Sequence, residues 1–254
     1  MKSPFFSIIT PVFNGEKYIE ETINSVIDQS INDYEYVIVD NLSTDNTSSI
    51  ISKYSSKIHK IISEKDNGMY DALDKGFNQC KGKYFYWLNS DDFLKDKNVL
   101  KNLKNYLLVY PENEWLICNT NFRYEKYNFN LELFPYQYPQ SIVKKGFAHN
   151  CNWGFIQQES TIFSKKLFYS VGGFKKNYKM AGDYYLWKDF ATKKKPVSVA
   201  ISLGVQRKWE GQLQNNLDFY YKEIKKKKCF FKFLKVFRFI YSLLIFLRLL
   251  FIKR

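Results

Sequence analysis

The chain is poor in the residues that mark metal and disulfide scaffolds. Only four cysteines occur in 254 residues, Cys80, Cys118, Cys151 and Cys229, and none lies within metal-ligand spacing of another. There are two histidines, His59 and His149, so a zinc centre and a disulfide framework both lose support, and the cysteine usage suits a reducing compartment. Glycine (11) and proline (6) are also few. No G-x-G-x-x-G follows the first strand-like segment and no G-x-x-x-x-G-K-[ST] occurs, which takes the main support from dinucleotide and P-loop readings. The N-terminal MKSPFFSIITPVFN has no long apolar stretch with a cleavage site, so no secretory signal is expected.

Hydrophobic residues make up 45% and aromatics 19%, which argues against disorder. The length suffices for one large domain or two small ones with a sizeable core. The formal net charge of +14 is unevenly placed. From Lys222 to Arg254 there are 11 Lys or Arg against one acid, Glu223, so +10 belongs to that segment.

The first ninety residues alternate two patterns. FSIIT (Phe6 to Thr10), YEYVIVD (Tyr34 to Asp40), HKIIS and KYFYWL read as strands, while EKYIEETINSVIDQ, STDNTSSIISKY and GMYDALDKGFNQC read as helices. Ser43 and Thr44 are candidate N-caps of the second helix, with Asp45 in its first turn. Strand and helix at this spacing predict right-handed crossovers and a mostly parallel sheet flanked by helices, an α/β fold. Beyond Asp92, KNVLKNLKNYLLVY reads as a helix stopped by Pro111, and EWLICNTNFRYEKYNFNLELF as two strands with a turn. SKKLFYSVGGF reads as a short helix, GDYYLWKDFATKK as a helix and PVSVAISLG as a strand.

Ligands of open α/β sheets bind beyond the carboxyl ends of the strands. The four ends here are TPVFN, DNLSTD, SEKDNG and NSDD; all are polar and three carry acids. Adjacent Asp91 and Asp92 at a rigid strand end repel unless a cation lies beside them. Oxygen ligands of this kind select Mg²⁺ or Mn²⁺, which bind through one or two carboxylates plus a substrate's phosphates. Asp40, at the second end, is placed to accept from a nucleobase or ribose.

The stretches SIITPVFNGEKYIEETINSV, VIVDNLSTDNT, SEKDNGMYDALDKG, YWLNSDD and ESTIFSKKLFYSVGGF…MAGDYYLW together resemble bacterial family 2 glycosyltransferases, in particular small enzymes of O-antigen and capsule synthesis. The resemblance runs from about Phe6 to about Gln212. It implies a GT-A-type fold, a nucleotide-sugar donor, a divalent metal and inversion at the anomeric carbon. By position it implies that Pro11, Phe13 and Asn14 line the nucleotide pocket, that Asp40 contacts the base and that Asp66 helps hold the nucleoside, with Gly68, Asn89 and Ser90 in the same donor pocket. Asp91 and Asp92 fall on the metal motif, with Asp92 expected as the more direct ligand, and Asp183 falls on the catalytic base. The chain departs from the usual pattern at Asn41-Leu42, at Gly182 and at Tyr185.

An inverting transfer needs one base, and Asp183 is expected to take the acceptor hydroxyl's proton. Glu159, Trp153 and His149 are candidates for the acceptor side, and Arg207 for a diphosphate contact from a closing loop. Asp71 is a candidate pocket residue and Tyr70 a packing one. The rivals are a sugar nucleotidyltransferase, whose glycine-rich basic loop is missing, and a catalytically silent membrane-bound scaffold of the same fold.

The catalytic domain is expected over residues 1–215 and a basic amphipathic segment over 216–254. The longest charge-free stretch of the tail, Phe239 to Leu247, falls well short of the roughly 20 apolar residues that span a bilayer. On a helical wheel Lys228, Lys232, Lys235, Arg238, Ser242 and Lys253 share one arc, Phe, Leu and Ile fill the rest, and Arg248 is out of place. This predicts an in-plane helix for anionic lipid headgroups, not a nucleic-acid surface. The sequence thus leads to a peripheral enzyme on the cytoplasmic face of the bacterial inner membrane, acting on a lipid-linked glycan.

Overall fold

The computed structural model describes residues 3–148, 155–175, 177–212 and 217–224. Its first half alternates β1 (Phe6–Val12), α1 (Ile19–Ile27), β2 (Tyr34–Asp40), α2 (Thr47–Lys53), β3 (Lys60–Ser63), α3 (Met69–Asn78) and β4 (Tyr84–Trp87). After these come β5 (Phe93–Leu94), α4 (Val99–Val109), β6 (Trp115–Tyr124), β7 (Phe129–Leu133) and α5 (Gln140–Lys144). The chain continues with β8 (Thr161–Ser164), α6 (Lys165–Ser170), α7 (Gly182–Lys193), β9 (Val197–Lys208) and α8 (Leu217–Glu223).

One sheet runs in the order β3-β2-β1-β4-β8-β6-β9-β5, with β7 paired to β6. The expected parallel order holds across β3, β2, β1 and β4. Beyond β4 the sheet is mixed: β8 is antiparallel to β4 and β6, β9 is parallel to β6, and β5 is antiparallel to β9. The antiparallel β6/β7 pair follows from a tight turn at Glu125–Tyr127, since a short connection can only reverse a strand.

Strands β1, β2 and β4 are buried on both faces, and their side chains divide between two cores with a period of two, while the edge strand β3 is mostly exposed. Ile9, Val37, Val39, Phe85 and Trp87 join Phe77, Phe168, Trp187 and Phe190 from α3, α6 and α7. Ile8, Tyr36, Ile38, Tyr84 and Tyr86 join Ile23, Ile51 and Leu103 from α1, α2 and α4. Helices therefore cover both faces, and the carboxyl ends of β1, β2 and β4 are left to carry polar groups. Among the described residues no helix is long and apolar enough to cross a membrane.

Two local expectations change. Ser43 and Thr44 do not cap α2: its N-cap is Asn46, without a side-chain capping bond, and Asp45 Oδ1 accepts the Thr47 N–H at 3.0 Å. β9 continues through Gly204 to Lys208, so Arg207 lies on a strand and not on a closing loop. His149, Trp153 and residues 225–254, the basic part of the tail, fall outside the described residues. The small helix α8 is not separate from the domain, because Tyr220 and Ile224 pack with Ala181 and Tyr184.

Candidate active site

The ends of β1, β2 and β3 form one hydrogen-bonded corner. Pro11 is buried at the end of β1, while Phe13, 57% exposed, and Leu42, 52% exposed, offer apolar surface beside it. Asn14 has a left-handed φ of 50°; its N–H donates to Ser43 Oγ at 2.9 Å and its Oδ1 accepts the Thr44 N–H at 2.9 Å. The β1 loop is thereby tied to the β2 loop. Asp40 is buried, and its carboxylate accepts from the Ser43 N–H and hydroxyl and from the Ser48 and Ser63 hydroxyls. The serines are thus partners of Asp40, which ties the loop together. Asn41, one of the departures from the family pattern, accepts the Asp66 N–H through Oδ1 at 2.7 Å.

Asp66 is partly buried, and burial raises its carboxyl above the usual value against the opposing pull of the Gly68 N–H. That N–H donates to Asp66 Oδ1 at 2.8 Å. Gly68 holds φ at 114°, a backbone that side-chain-bearing residues rarely adopt, and so lets the loop turn directly into α3. A cavity of about 250 Å³ lies here, lined by Asn67, Gly68, Met69, Tyr70, Asp71, Tyr178 and Lys179.

The two carboxylates of the doublet have different surroundings. Asp92, expected as the more direct metal ligand, is 1% exposed, with Oδ1 accepting the Arg207 backbone N–H at 2.9 Å and Oδ2 accepting from Asn89 Nδ2 at 3.1 Å. Burial, with Asp91 and Glu159 nearby, holds its carboxyl well above the ordinary range. Asp91 is the partly exposed member, and its Oδ2 accepts from Trp209 Nε1 and Gln212 Nε2, both at 2.9 Å.

Among the described residues no group of three His, Cys, Asp or Glu side chains could hold a metal. A single accessible carboxylate at a strand end nevertheless suits Mg²⁺ or Mn²⁺, which complete their shells with phosphate oxygens and water. Asn89 stays in the corner, donating also to Gln158 Oε1 at 3.0 Å, and the Ser90 carbonyl lies 2.8 Å from the Thr22 hydroxyl.

Arg207 is buried and paired within the protein. Its side chain is 2% exposed, its Nε donates to the Asp91 carbonyl at 2.8 Å, and its guanidinium pairs with Glu21 at 2.6 Å and with Glu125. The guanidinium also lies 4.3 Å from the Tyr18 ring centroid. All of this fastens β9 to α1 and the doublet. Glu159 is 5% exposed; Gln206 Nε2 donates to its Oε1 at 2.8 Å, and Oε2 has no partner. Burial raises its carboxyl, opposed by Lys208 and reinforced by Asp91.

Asp183 is the second residue of α7 and not its N-cap, which is Ala181. Its Oδ1 accepts the Tyr184 N–H at 2.7 Å, and its own N–H donates to the Tyr70 hydroxyl at 3.3 Å. Burial pushes its carboxyl up to about 7, with Glu159 adding to the rise. A carboxyl that titrates near neutrality is suited to proton transfer. The preceding Gly182, a second departure from the family pattern, is required by packing, because a Cβ there would meet the Tyr70 ring at 2.6 Å. Tyr70 is thus more than packing. Its hydroxyl donates to the Met180 carbonyl at 3.0 Å and links α3 to the segment before Asp183.

Sequence reasoning missed Trp209, Gln212 and Glu223. The first two follow Arg207 in QRKWEGQ, with no periodic signal to mark them. Glu223 had one: it is the lone acid among the tail's basic residues.

Comparison with known proteins agrees with this architecture. The Glycosyl transferase family 2 model matches residues 7–172. An uncharacterized glycosyltransferase of Rickettsia prowazekii is 32% identical over 203 residues, covering 74% of this chain and 59% of the relative. The putative teichuronic acid biosynthesis glycosyltransferase TuaG of Bacillus subtilis is 38% identical over 104 residues, covering 40% of this chain and 41% of its own. The chain thus spans about three fifths or less of the length of these curated relatives. Among solved structures, S. aureus TarS 1-349 in complex with UDP-GlcNAc superposes with a TM-score of 0.67 at 20% identity, covering 85% of this chain and 63% of that one. The mannosyltransferase PcManGT from Pyrobaculum calidifontis, in complex with GDP-Man and Mn²⁺, gives 0.64 at 18% identity, covering 90% and 66%. The fold is of the GT-A type, and the chain belongs to glycosyl transferase family 2.

Proposed function

We propose that this protein is an inverting glycosyltransferase. It moves one sugar from a nucleotide-diphosphate donor to a hydroxyl of a lipid-linked glycan in surface-polysaccharide synthesis. The observation that carries the reading is Asp183 at the start of α7, its N–H on the Tyr70 hydroxyl and its carboxyl raised by burial and by Glu159, in a chain that matches the Glycosyl transferase family 2 model over residues 7–172. The complexes of TarS with UDP-GlcNAc and of PcManGT with GDP-Man support the donor class, and a UDP-sugar is the reading we adopt.

In this reading the exposed apolar pair Phe13 and Leu42 receives the nucleobase over the Asn14–Ser43 corner, with Asp40 holding the loop and Asp66 reaching the nucleoside. Asp91 holds Mg²⁺ or Mn²⁺, which supplies positive charge for the leaving diphosphate. Asp183 takes the proton of the attacking hydroxyl. Glu159, coupled electrostatically to both acids, keeps its proposed place on the acceptor side, as do His149 and Trp153.

Peripheral attachment at the cytoplasmic face of the inner membrane rests on the tail's sequence: its basic arc meets anionic headgroups and its apolar remainder enters the interface. The packing of Tyr220 and Ile224 moves the proposed domain boundary from 215 to just after 224.

The test is thermal stabilisation of the protein by UDP, GDP and dTDP, each with Mn²⁺ or with EDTA, in the wild type and in Asp91→Asn. A metal-dependent shift with one nucleotide, lost in the variant, identifies the donor base. Absence of any shift in a well-folded protein overturns the donor reading.

A further inference from the structure

The last described helix reaches back to the base. The Glu223 carboxylate accepts three successive backbone N–H groups, Lys179 at 2.7 Å through Oε1 and Met180 and Ala181 at 2.9 and 2.8 Å through Oε2. Three convergent N–H groups form an anion-binding concavity, and here a side chain more than forty residues away fills it. The contact is braced from both sides. The Tyr185 hydroxyl donates to the Glu223 carbonyl at 3.2 Å, and Tyr178 stacks on Tyr185 with ring centroids 3.9 Å apart. Tyr220 and Ile224, from the same turn of chain, pack with Ala181 and Tyr184.

Asp183 lies two residues beyond Ala181, and Tyr70 meets the Met180 carbonyl on one side of it and the Asp183 N–H on the other. The backbone before the base is therefore held at two points, by Tyr70 from α3 and by Glu223 from α8. Lys179, whose N–H Glu223 holds, also walls the 250 Å³ cavity beside Tyr70.

We propose that Glu223 is a positioning residue for the transfer: by clamping Lys179 to Ala181 it sets the direction in which Asp183 leaves the backbone. It touches neither donor nor acceptor, and it acts only through that segment. The inference rests on Asp183 being the base. It also gives the first residues of the C-terminal helix a task in catalysis apart from any membrane contact of the residues that follow.

The experiment compares the full chain with Glu223→Ala, Glu223→Gln and Asp183→Asn. The first readouts need no donor. Hydrogen exchange over 178–186 is expected to rise in Glu223→Ala and to be partly restored in Glu223→Gln, whose amide oxygen still accepts. The Asp183 carboxyl, followed by its carbon chemical shift and assigned through Asp183→Asn, is expected to titrate at a changed pH in Glu223→Ala. With UDP-GlcNAc or GDP-mannose, whichever nucleotide class stabilises the protein, kcat should fall at least about tenfold while donor affinity holds, because misplacing a catalytic group acts on the chemical step. Unchanged exchange and an unchanged Asp183 titration in Glu223→Ala overturn the inference. A fall in donor affinity with no change in kcat also overturns it. Full turnover in Asp183→Asn instead sinks the base assignment, a failure read in a different variant.

Discussion

The Arg207 backbone N–H donates to Asp92 Oδ1 at 2.9 Å while the Arg207 guanidinium pairs with Glu21 and Glu125. One residue of β9 thus locks the doublet at the end of β4 and anchors it to α1. Arg207→Met should destabilise the protein by about 1 kcal/mol, since the Asp91 carbonyl loses its donor while Glu21 and Glu125, both partly exposed, can hydrate. Nucleotide affinity of the folded protein should change little. Denaturant unfolding measured alongside nucleotide titration checks both halves, and a selective loss of affinity would return Arg207 to the diphosphate.

Asp91 and Asp92 should fail differently. Asp91→Asn should keep the melting temperature within a few degrees and lose metal-dependent stabilisation by nucleotide. Asp92→Ala should lower stability by about 2 kcal/mol or more, because the Arg207 N–H and the Asn89 amide lose a buried acceptor. Thermal melts with and without Mn²⁺ separate the two.

The proposal that Asp183 is the base predicts a rate that rises with pH through about 7 and then levels, since only the deprotonated carboxyl accepts a proton. Asp183→Asn should cost about 10²- to 10⁴-fold in kcat and abolish that limb. Its effect on stability has the opposite sense. The folded carboxyl binds its proton up to about 7 and the unfolded one only to 3.8, so the group's stabilising contribution is full below 3.8 and lost as the pH rises through about 7. Asp183→Asn should therefore melt higher than wild type at pH 8, by more than at pH 5.

Trp209 reports on the doublet, because its indole N–H donates to Asp91 Oδ2 and its ring lies 5.3 Å from that of Tyr18. Adding Mn²⁺ with the correct nucleotide should change tryptophan emission, and Trp209→Phe should remove that change. A response that survives the substitution comes from another tryptophan and counts against a cation at Asp91.

Truncation should distinguish two ends of the tail. Ending the chain after Ile224 should release it from anionic vesicles and leave its melting temperature near wild type. Ending it at 215 removes buried Tyr220 and Ile224 and should cost about 3–5 kcal/mol at ordinary values for apolar burial. Vesicle flotation and thermal melts of both proteins check this.

Much of the first half was legible because its signals are local. YEYVIVD became β2 from Tyr34 to Asp40, and the β-branched and aromatic runs with helical patterns between them have one stable arrangement, a parallel sheet with both faces covered. The strand ends were legible for the same reason, since polar residues directly after a buried strand mark its carboxyl edge. Ser43 and Thr44 misled because their hydroxyl chemistry suits a cap equally well as a partner for Asp40, and only the fold of the loop chooses.

By itself the sequence determined the family, the sheet that carries the site and the acids at its edge, because these depend on residue order and on periodicities of two and of about 3.6. The tertiary structure alone decided the surroundings of each acid. Asp91 and Asp92 are chemically identical neighbours; burial and the Arg207 N–H separate them. Asp183 rises to about 7 because packing removes water around it and brings Glu159 near, and Glu223 finds Lys179 to Ala181 only when α8 folds back across the domain. Desolvation and contacts between residues far apart in the chain have no local pattern, so they arise only once the chain has closed on itself.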